Sequence, residues 1–415
     1  MTKKISSFLA FLVIIFSPIH NFTRETRAEE MNLVQESDEV VVVSNPKNPA
    51  PKDGLKKKII FKEELSIGVV EGDENYMFGG AVIFNTDEEG NFYVTDWDSK
   101  RIQKYDTEGK YLLTIGKQGQ GPGEFGNLSM VRFDKNGHIY VTDIANRRIS
   151  FFDTDGKYLR QIKIPDTYEN LYMNSRGCFI ASCSKRADDK SGMGFRIVYG
   201  LFDDQFKIVS EFHTRIFNPK PPEGRDLTSM AKFTANILNE IAFQPRPIHI
   251  LADNDYIYFG HPEDYTIDIY SPDGINVKRI KREYDPIKIG EKDKEYFVST
   301  AVERFIRDRG EDYKKEVIKF IKYPKYKPAY LGFTLMENGW LAVIVEFIEG
   351  EYTLFDLFNE EGTYIGNFKA SIPHDGLFFN NGKAYAVATE NDYKFVKRYN
   401  FEIQELIDNK WVRKK

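Results

Sequence analysis

Asn91-Phe-Tyr-Val-Thr-Asp96, followed by Arg101-Ile102 and Tyr105-Asp106-Thr-Glu-Gly109-Lys-Tyr-Leu112, is written twice in this chain. The second version is His138-Ile-Tyr-Val-Thr-Asp143, Arg148-Ile149 and Phe152-Asp153-Thr-Asp-Gly156-Lys-Tyr-Leu159. The pairs Asp96/Asp143, Asp106/Asp153 and Gly109/Gly156 all recur at an offset of 47 residues. Each copy reads strand, turn, strand, turn, strand, with alternating apolar residues broken by Asp, Glu and Gly. Four short antiparallel strands every ~40–50 residues make a β-propeller blade.

Weaker copies follow the same turn signatures. A third blade is expected near residues 171–211, through Phe202-Asp203-Asp204, and a fourth near 247–282, with Tyr270-Ser-Pro-Asp-Gly274. A fifth spans about 329–369, with Phe358-Asn-Glu-Glu-Gly362, and the last lies near 375–404. The strand Ile59 to Val69 completes the final blade and leaves no free sheet edge. The fold class is therefore all-β: a six-bladed β-propeller of four-stranded antiparallel blades over residues 59–404, with helical insertions between blades. Residues 213–245 carry a helical stretch from Leu227 to Ile241. Residues 286–323 carry two more, Lys292 to Arg309 and Asp312 to Ile321, with apolar residues at helical spacing. Both insertions join the last strand of one blade to the first of the next. In propellers those connections share a face with the loops between second and third strands, so one face is built up and the other plain.

The ends of the chain read differently. Lys3 and Lys4 precede an apolar run from Ile5 to Phe16, too short to span ~30 Å of hydrocarbon. Residues 1–28 are read as a signal peptide cleaved after Thr26-Arg27-Ala28, giving an exported protein, periplasmic or extracellular, without a transmembrane span. No Cys follows the apolar run to carry a lipid. Removing those residues shifts the formal charge from −5 to −8. An acidic chain of this kind is not a general nucleic-acid binder. Residues 29–58, with Pro46, Pro49, Pro51 and Lys56 to Lys58, read as a Pro/Lys-rich linker, and residues 405–415 as a basic C-terminal tail. Cys178 and Cys183 sit five residues apart in one strand, roughly 16 Å, and so are expected as unpaired thiols. A monomer is expected.

The blade pattern resembles that of the NHL-repeat family. Asp143, Asn146, Arg148 and Ile149 match it, as do Gly116, Gly119, Gly121, Gly123 and Phe125 between the two copies. Ser99 stands where the family often has Asn, and Leu128 where Pro is common. The strong resemblance covers residues 79–164; beyond it the chain is similar to secreted bacterial six-bladed propellers, a group known mainly by fold.

Several residues invite a functional reading. Gly116-Lys-Gln-Gly-Gln-Gly-Pro-Gly123 lacks the Gly-Lys-Ser/Thr ending of a phosphate loop and precedes a strand, so it reads as an inter-blade turn. Asp96 and Asp143 recur with Arg101 and Arg148, as turn-capping carboxylates with basic partners would. Acidic residues collect in one class of loop: Glu263, Asp264, Glu346, Glu349, Glu351, Glu390 and Asp392, with Tyr330, Phe347, Tyr352 and Tyr393 nearby. Such a mixture suits a sugar or peptide, or Ca²⁺. The candidate ligand-binding residues are Arg246, His249, His261, Glu263, Tyr330, Glu346, His374 and Asp375.

Two functions follow. The first is a non-catalytic binding or scaffold propeller that engages a protein, peptide or glycan at its elaborated face and needs no cofactor. The alternative is a metal-dependent, lactonase-like hydrolase or lyase working at the central channel with His249, His374 and Asp375. Lactonase-type propellers hold Ca²⁺ through Glu, Asn and Asp at the tops of inner strands. Here those positions (Gly80-Ala81, Ser129-Met130, Tyr172-Met173, Ile248-His249, Tyr330-Leu331 and Asp375-Gly376) supply one carboxylate. No Gly-x-Ser-x-Gly elbow is present.

Overall fold

A computed structural model describes residues 40–48, 57–78, 80, 82–187, 194–240, 242–306, 309–348, 352–370, 372, 377–390, 393–407 and 410–413. The signal peptide read at 1–28, and with it Glu349, Glu351, His374, Asp375 and Asp392, lie outside the described residues.

Two strands precede the blades, β1 (Val41–Asn45) and β2 (Lys57–Ile67). Blade 1 is β3 to β6 (Val82–Thr86, Phe92–Asp96, Arg101–Tyr105, Tyr111–Ile115). Blade 2 is β7 to β10 (Arg132–Phe133, Ile139–Asp143, Arg148–Phe152, Tyr158–Lys163). Blade 3 is β11 to β14 (Thr167–Met173, Phe179–Arg186, Phe195–Phe202, Ile208–Phe217). Blade 4 is β15 to β18 (Ile248–Leu251, Ile257–His261, Thr266–Tyr270, Asn276–Arg282). Blade 5 is β19 to β22 (Gly332–Leu335, Leu341–Ile348, Tyr352–Phe358, Tyr364–Ala370). Blade 6 is β23 to β25 (Phe378–Asn380, Lys383–Glu390, Tyr393–Ile407), extended by β26 (Lys410–Arg413). Its fourth strand is β2, which pairs antiparallel with β25 and closes the ring. The chain is a six-bladed β-propeller.

The recurring Asp-x-x-Gly turns explain the rhythm. Asp106 Oδ1 accepts the backbone N–H of Glu108 at 2.9 Å and of Lys110 at 2.8 Å, and Asp153 does the same for Asp155 and Lys157 at 3.1 and 2.8 Å. The turn needs a left-handed residue, which Gly109 (φ 80°) and Gly156 (φ 79°) supply. Among the described residues six apolar clusters fill the six seams between blades. The seam between blades 3 and 4 has six buried members (Ile180, Tyr199, Leu201, Ile257, Phe259 and Tyr270), against nine to thirteen at the others.

A seventh cluster belongs to the insertions. β14 runs on to Phe217, so the first insertion starts later than residue 213. It carries α1 (Leu227–Asn239), whose N-terminus is capped by Asp226 accepting from Ser229 N at 3.0 Å. The second carries α2 (Glu291–Phe297), a π-helical turn over Val298–Val302, α3 (Glu303–Ile306) and α4 (Glu311–Ile318). Ala231, Ala235 and Leu238 of α1 pack on Phe297, Val302, Ile306, Tyr313 and Val317 of the second insertion. The two insertions thus form one helical unit beside blade 4.

Two boundary expectations are corrected. Residues 41–45 are not linker: β1 lies parallel along β18 as a fifth strand of blade 4, from Val41↔Lys278 to Asn45↔Arg282. Its β-branched run finds an unpaired sheet edge that local composition does not reveal. Within the basic C-terminal tail expected at 405–415, residues 405–407 and 410–413 are strand instead: β25 continues to Ile407 and β26 folds back on it, Gln404↔Arg413 to Ile407↔Lys410. Cys178 and Cys183 are unpaired, as their spacing predicts. Among the described residues no helix is long and apolar enough to cross a membrane.

Candidate functional site

The seam between blades 1 and 2 is closed by one carboxylate and one guanidinium. Asp143, the last residue of β8, accepts the backbone N–H groups of Gly126 and Asn127 at 2.9 Å each. Arg148, paired with it across β8 and β9, donates to the carbonyls of Gln120, Gly121 and Glu124 at 3.0, 2.7 and 2.8 Å. Together they hold the Gly-rich segment 116–126 over the seam, and Phe125 is fully buried there. The structural reading of Asp143 and Arg148 fits this geometry.

Blade 4 changes both residues. His261 stands in the position of Asp143 and Thr266 in that of Arg148, as the pairing His261↔Thr266 shows. The chain entering blade 4 also goes into α1 instead of forming a Gly-rich turn. What remains is an open cleft of about 220 Å³, lined by His261, Glu263, Asp264, Thr266, Arg279 and Lys281.

Charges in and under this cleft are unevenly satisfied. Asp268 is 1% exposed and takes Arg279 side-on, Nε to Oδ1 at 2.6 Å and NH2 to Oδ2 at 2.9 Å. His261 Nε2 lies 3.2 Å from Asp268 Oδ2. Burial pushes the Asp268 carboxyl up, but hydrogen bonds from His261, Arg279 and Asn276, with the Arg279 charge, hold it down at about 2. A carboxylate accepts only, so His261 presents an N–H from Nε2 to Asp268. From blade 3, the His213 ring faces His261 at 5.7 Å between centroids, and burial, then the electrostatic effect of His261, lowers its pKa. Thr266 is 4% exposed, and its Oγ1 has no hydrogen-bond partner among the described residues.

Deeper along the same seam lie Glu169, Tyr199, Arg215, Arg246 and His249. Burial raises the Glu169 carboxyl, partly offset by Arg246, while burial and then Arg215 lower Arg246. His249 is 5% exposed, between Tyr172 and Tyr199, and donates from Nε2 to the Asn170 carbonyl at 2.8 Å. Burial drives its pKa down to about 4, so it is neutral. Perturbed side chains gathered along one seam mark a candidate functional site.

Of the residues singled out by sequence, Arg246, His249, His261 and Glu263 come together at this seam. Tyr330 does not open onto it: it is 1% exposed in the blade 4–5 core, its hydroxyl donating to Thr266 O at 2.7 Å. Glu346 lies on blade 5 and accepts from Tyr352 at 3.0 Å and from Lys327 at 3.4 Å. Thr266, Asp268, Arg279, Lys281 and His213 were not singled out. Aligning blade 4 on blade 2 through His261 and Asp143 would have found Thr266, the position of Arg148. Among the described residues no three His, Cys, Asp or Glu side chains converge to hold a metal ion, and a Ca²⁺ site would draw on Asp375, outside them.

Residues 85–255 match a family model described as a six-bladed β-propeller. The match runs from blade 1 into the first turn of blade 4. Among solved structures, a protein of Bacteroides fragilis named a putative exported protein is similar to this chain at 12% identity. The likeness covers 88% of this chain and 99% of that one with a TM-score of 0.51. A member of the duf4221 family from Bacteroides vulgatus is similar at 11% identity over 83% and 98% of the two chains, TM-score 0.47. Virginiamycin B lyase of Staphylococcus aureus is similar at 12% identity over 86% and 88%, TM-score 0.38. At such identities the likeness is one of fold alone. No curated protein matches the chain.

Proposed function

We propose that this chain is an exported, NHL-like binding propeller that engages a protein, peptide or glycan at its elaborated face. The observation that carries this reading is the placement of two features. The helical unit made by both insertions and the open cleft at His261 flank blade 4, and both belong to the face bearing the second-to-third strand loops. A rigid ring with one built-up face presents ligand-contacting loops without moving its core. The opposite face carries tight turns such as Asp134–His138, closed by Asp134 Oδ1 accepting from Asn136 and His138 at 2.9 Å each.

The test compares the two faces. Single cysteines replace Glu311, on the helical unit, or Lys135, on a plain-face turn, in a Cys178→Ser background, and each is coupled to polyethylene glycol. Glycan and peptide arrays then report binding. Saturable binding blocked by the polymer at Glu311→Cys and kept at Lys135→Cys is the expected result. Block from the plain face, or turnover of lactones and esters without saturable binding, would overturn the reading.

A further inference from the structure

Resting on that reading, we propose that the blade 3–blade 4 cleft is a docking groove for an extended peptide segment of a partner protein. The segment would lie there as this chain's own residues 116–126 lie over the seam between blades 1 and 2.

The argument begins with internal symmetry. Ile139, Val141 and Asp143 of β8 face blade 1, and Ile257, Phe259 and His261 of β16 face blade 3. The same alternation aligns Arg148, Ser150 and Phe152 with Thr266, Asp268 and Tyr270. In blade 2 this surface is covered by polypeptide: Asp143 takes two backbone N–H groups and Arg148 gives to three backbone carbonyls. In blade 4 the equivalent connection forms α1, and the surface lined by His261 and Thr266 is an open cleft.

Thr266 leaves a polar group at the cleft unsatisfied. Its side chain is 4% exposed, lines the cleft, and its Oγ1 has no hydrogen-bond partner among the described residues. A buried hydroxyl without a partner costs roughly 1–3 kcal/mol, which a peptide carbonyl or N–H would recover. His261 also lines the cleft, its Nε2 held by Asp268. The groove thus offers polar side chains, Thr266 and His261, to a peptide backbone.

The rim sets the side-chain chemistry. Glu263 and Asp264 form one lip, and Arg279 and Lys281 stand on the outer wall. Among the described residues the side chains of Glu263, Asp264 and Lys281 make no hydrogen bond or ion pair. Arg279 holds Asp268 through Nε and NH2, leaving NH1 for a ligand. A groove with an acidic lip and a basic wall selects a segment carrying a basic residue on one side and an acidic one on the other. Residues 116–126 carry one residue of each sign, Lys117 and Glu124.

The test uses fluorescein-labelled GKQGQGPGEF, the sequence of residues 116–125, and its charge-reversed form GEQGQGPGKF, read by fluorescence polarisation. The wild-type chain is expected to bind the first at least tenfold more tightly than the second. Thr266→Val, isosteric and unable to hydrogen-bond, is expected to weaken binding severalfold. The surface pair Glu263→Lys with Lys281→Glu is expected to invert the preference between the peptides, a result that misfolding cannot produce. Equal binding by wild type and all variants, or none, would overturn the proposal. So would binding that appears only once residues 1–39 are removed, which would make this chain's own segment the occupant. If the peptides fail while a glycan or protein still binds at the helical face, only the groove assignment falls.

Discussion

His249 donates to a carbonyl 79 residues away, at Asn170, whose own backbone is left-handed with φ 51° where β11 bulges. Neither the bulge nor its free carbonyl can be read from the sequence around Arg246-Pro-Ile-His249, which shows only a histidine on an inner strand. Burial lowers this ring from 6.5 to about 4, and the sign of the effect on stability follows. The unfolded chain binds a proton near pH 6.5 and the folded chain resists it, so the contribution is complete above pH 6.5. It is lost as pH falls towards 4. Between pH 7.5 and 5 the wild type is expected to lose about 2 kcal/mol from this group. His249→Gln keeps a donor for Asn170 but cannot titrate, and its urea midpoints at the two pH values should lie correspondingly closer together. An unchanged pH slope in the variant would mean that the ring titrates freely. Asp268 works in the other acid range. Its carboxyl, held at about 2, contributes stability above pH 4 that fades below it. Asp268→Asn is expected to cost about 2 kcal/mol at pH 7, because it removes the charge opposite a half-exposed Arg279.

β1 shows at the element scale what composition hides. Pro46 and its neighbours argue for a linker, and by local rules they should. The strand forms because β18 offers a free edge and because Asn45 has partners far along the chain. Its Nδ2 donates to Lys281 O at 3.1 Å and Gly362 O at 2.9 Å, and its Oδ1 accepts from Tyr364 N at 2.7 Å. One buried amide therefore ties blade 4 to blade 5 at the outer rim. Asn45→Ala strands these groups, and a loss of about 2–3 kcal/mol in urea denaturation is expected. Ser44→Ala, an exposed neighbour, should stay within about 0.5 kcal/mol. Equal effects from the two would show that the side chain is not the clasp. The blades themselves were legible because each repeats a local turn, Asp106 and Asp153 binding the N–H groups two and four residues on.

At the scale of the molecule, the ring could be counted from sequence because every blade restates one pattern, while the cleft was legible only in part, through His261 and Glu263, because it is a place where the pattern is missing. The same holds for the helices. Their 3.6-residue apolar spacing was readable in each insertion, but their union joins residues on either side of blade 4. Thr234 Oγ1 meets the Tyr313 hydroxyl at 2.8 Å, and Asn239 binds Phe320 O at 3.1 Å and Lys322 N at 2.7 Å. The core of this unit, from Ala231 to Ile321, contains no strand residue. A cluster closed on itself behaves as its own cooperative unit, opening without the rest. Val317 is fully buried in that cluster. Val317→Asp places a charge there at a cost of several kcal/mol and is expected to melt the helices while the ring stays folded. Proteolysis should then cut within residues 218–247 and 286–331 and leave the blades whole, and the main thermal transition should move little. A single transition at much lower temperature would instead make the helices integral to the ring. In that case the built-up face could not be altered, by mutation or by evolution, independently of the propeller that carries it.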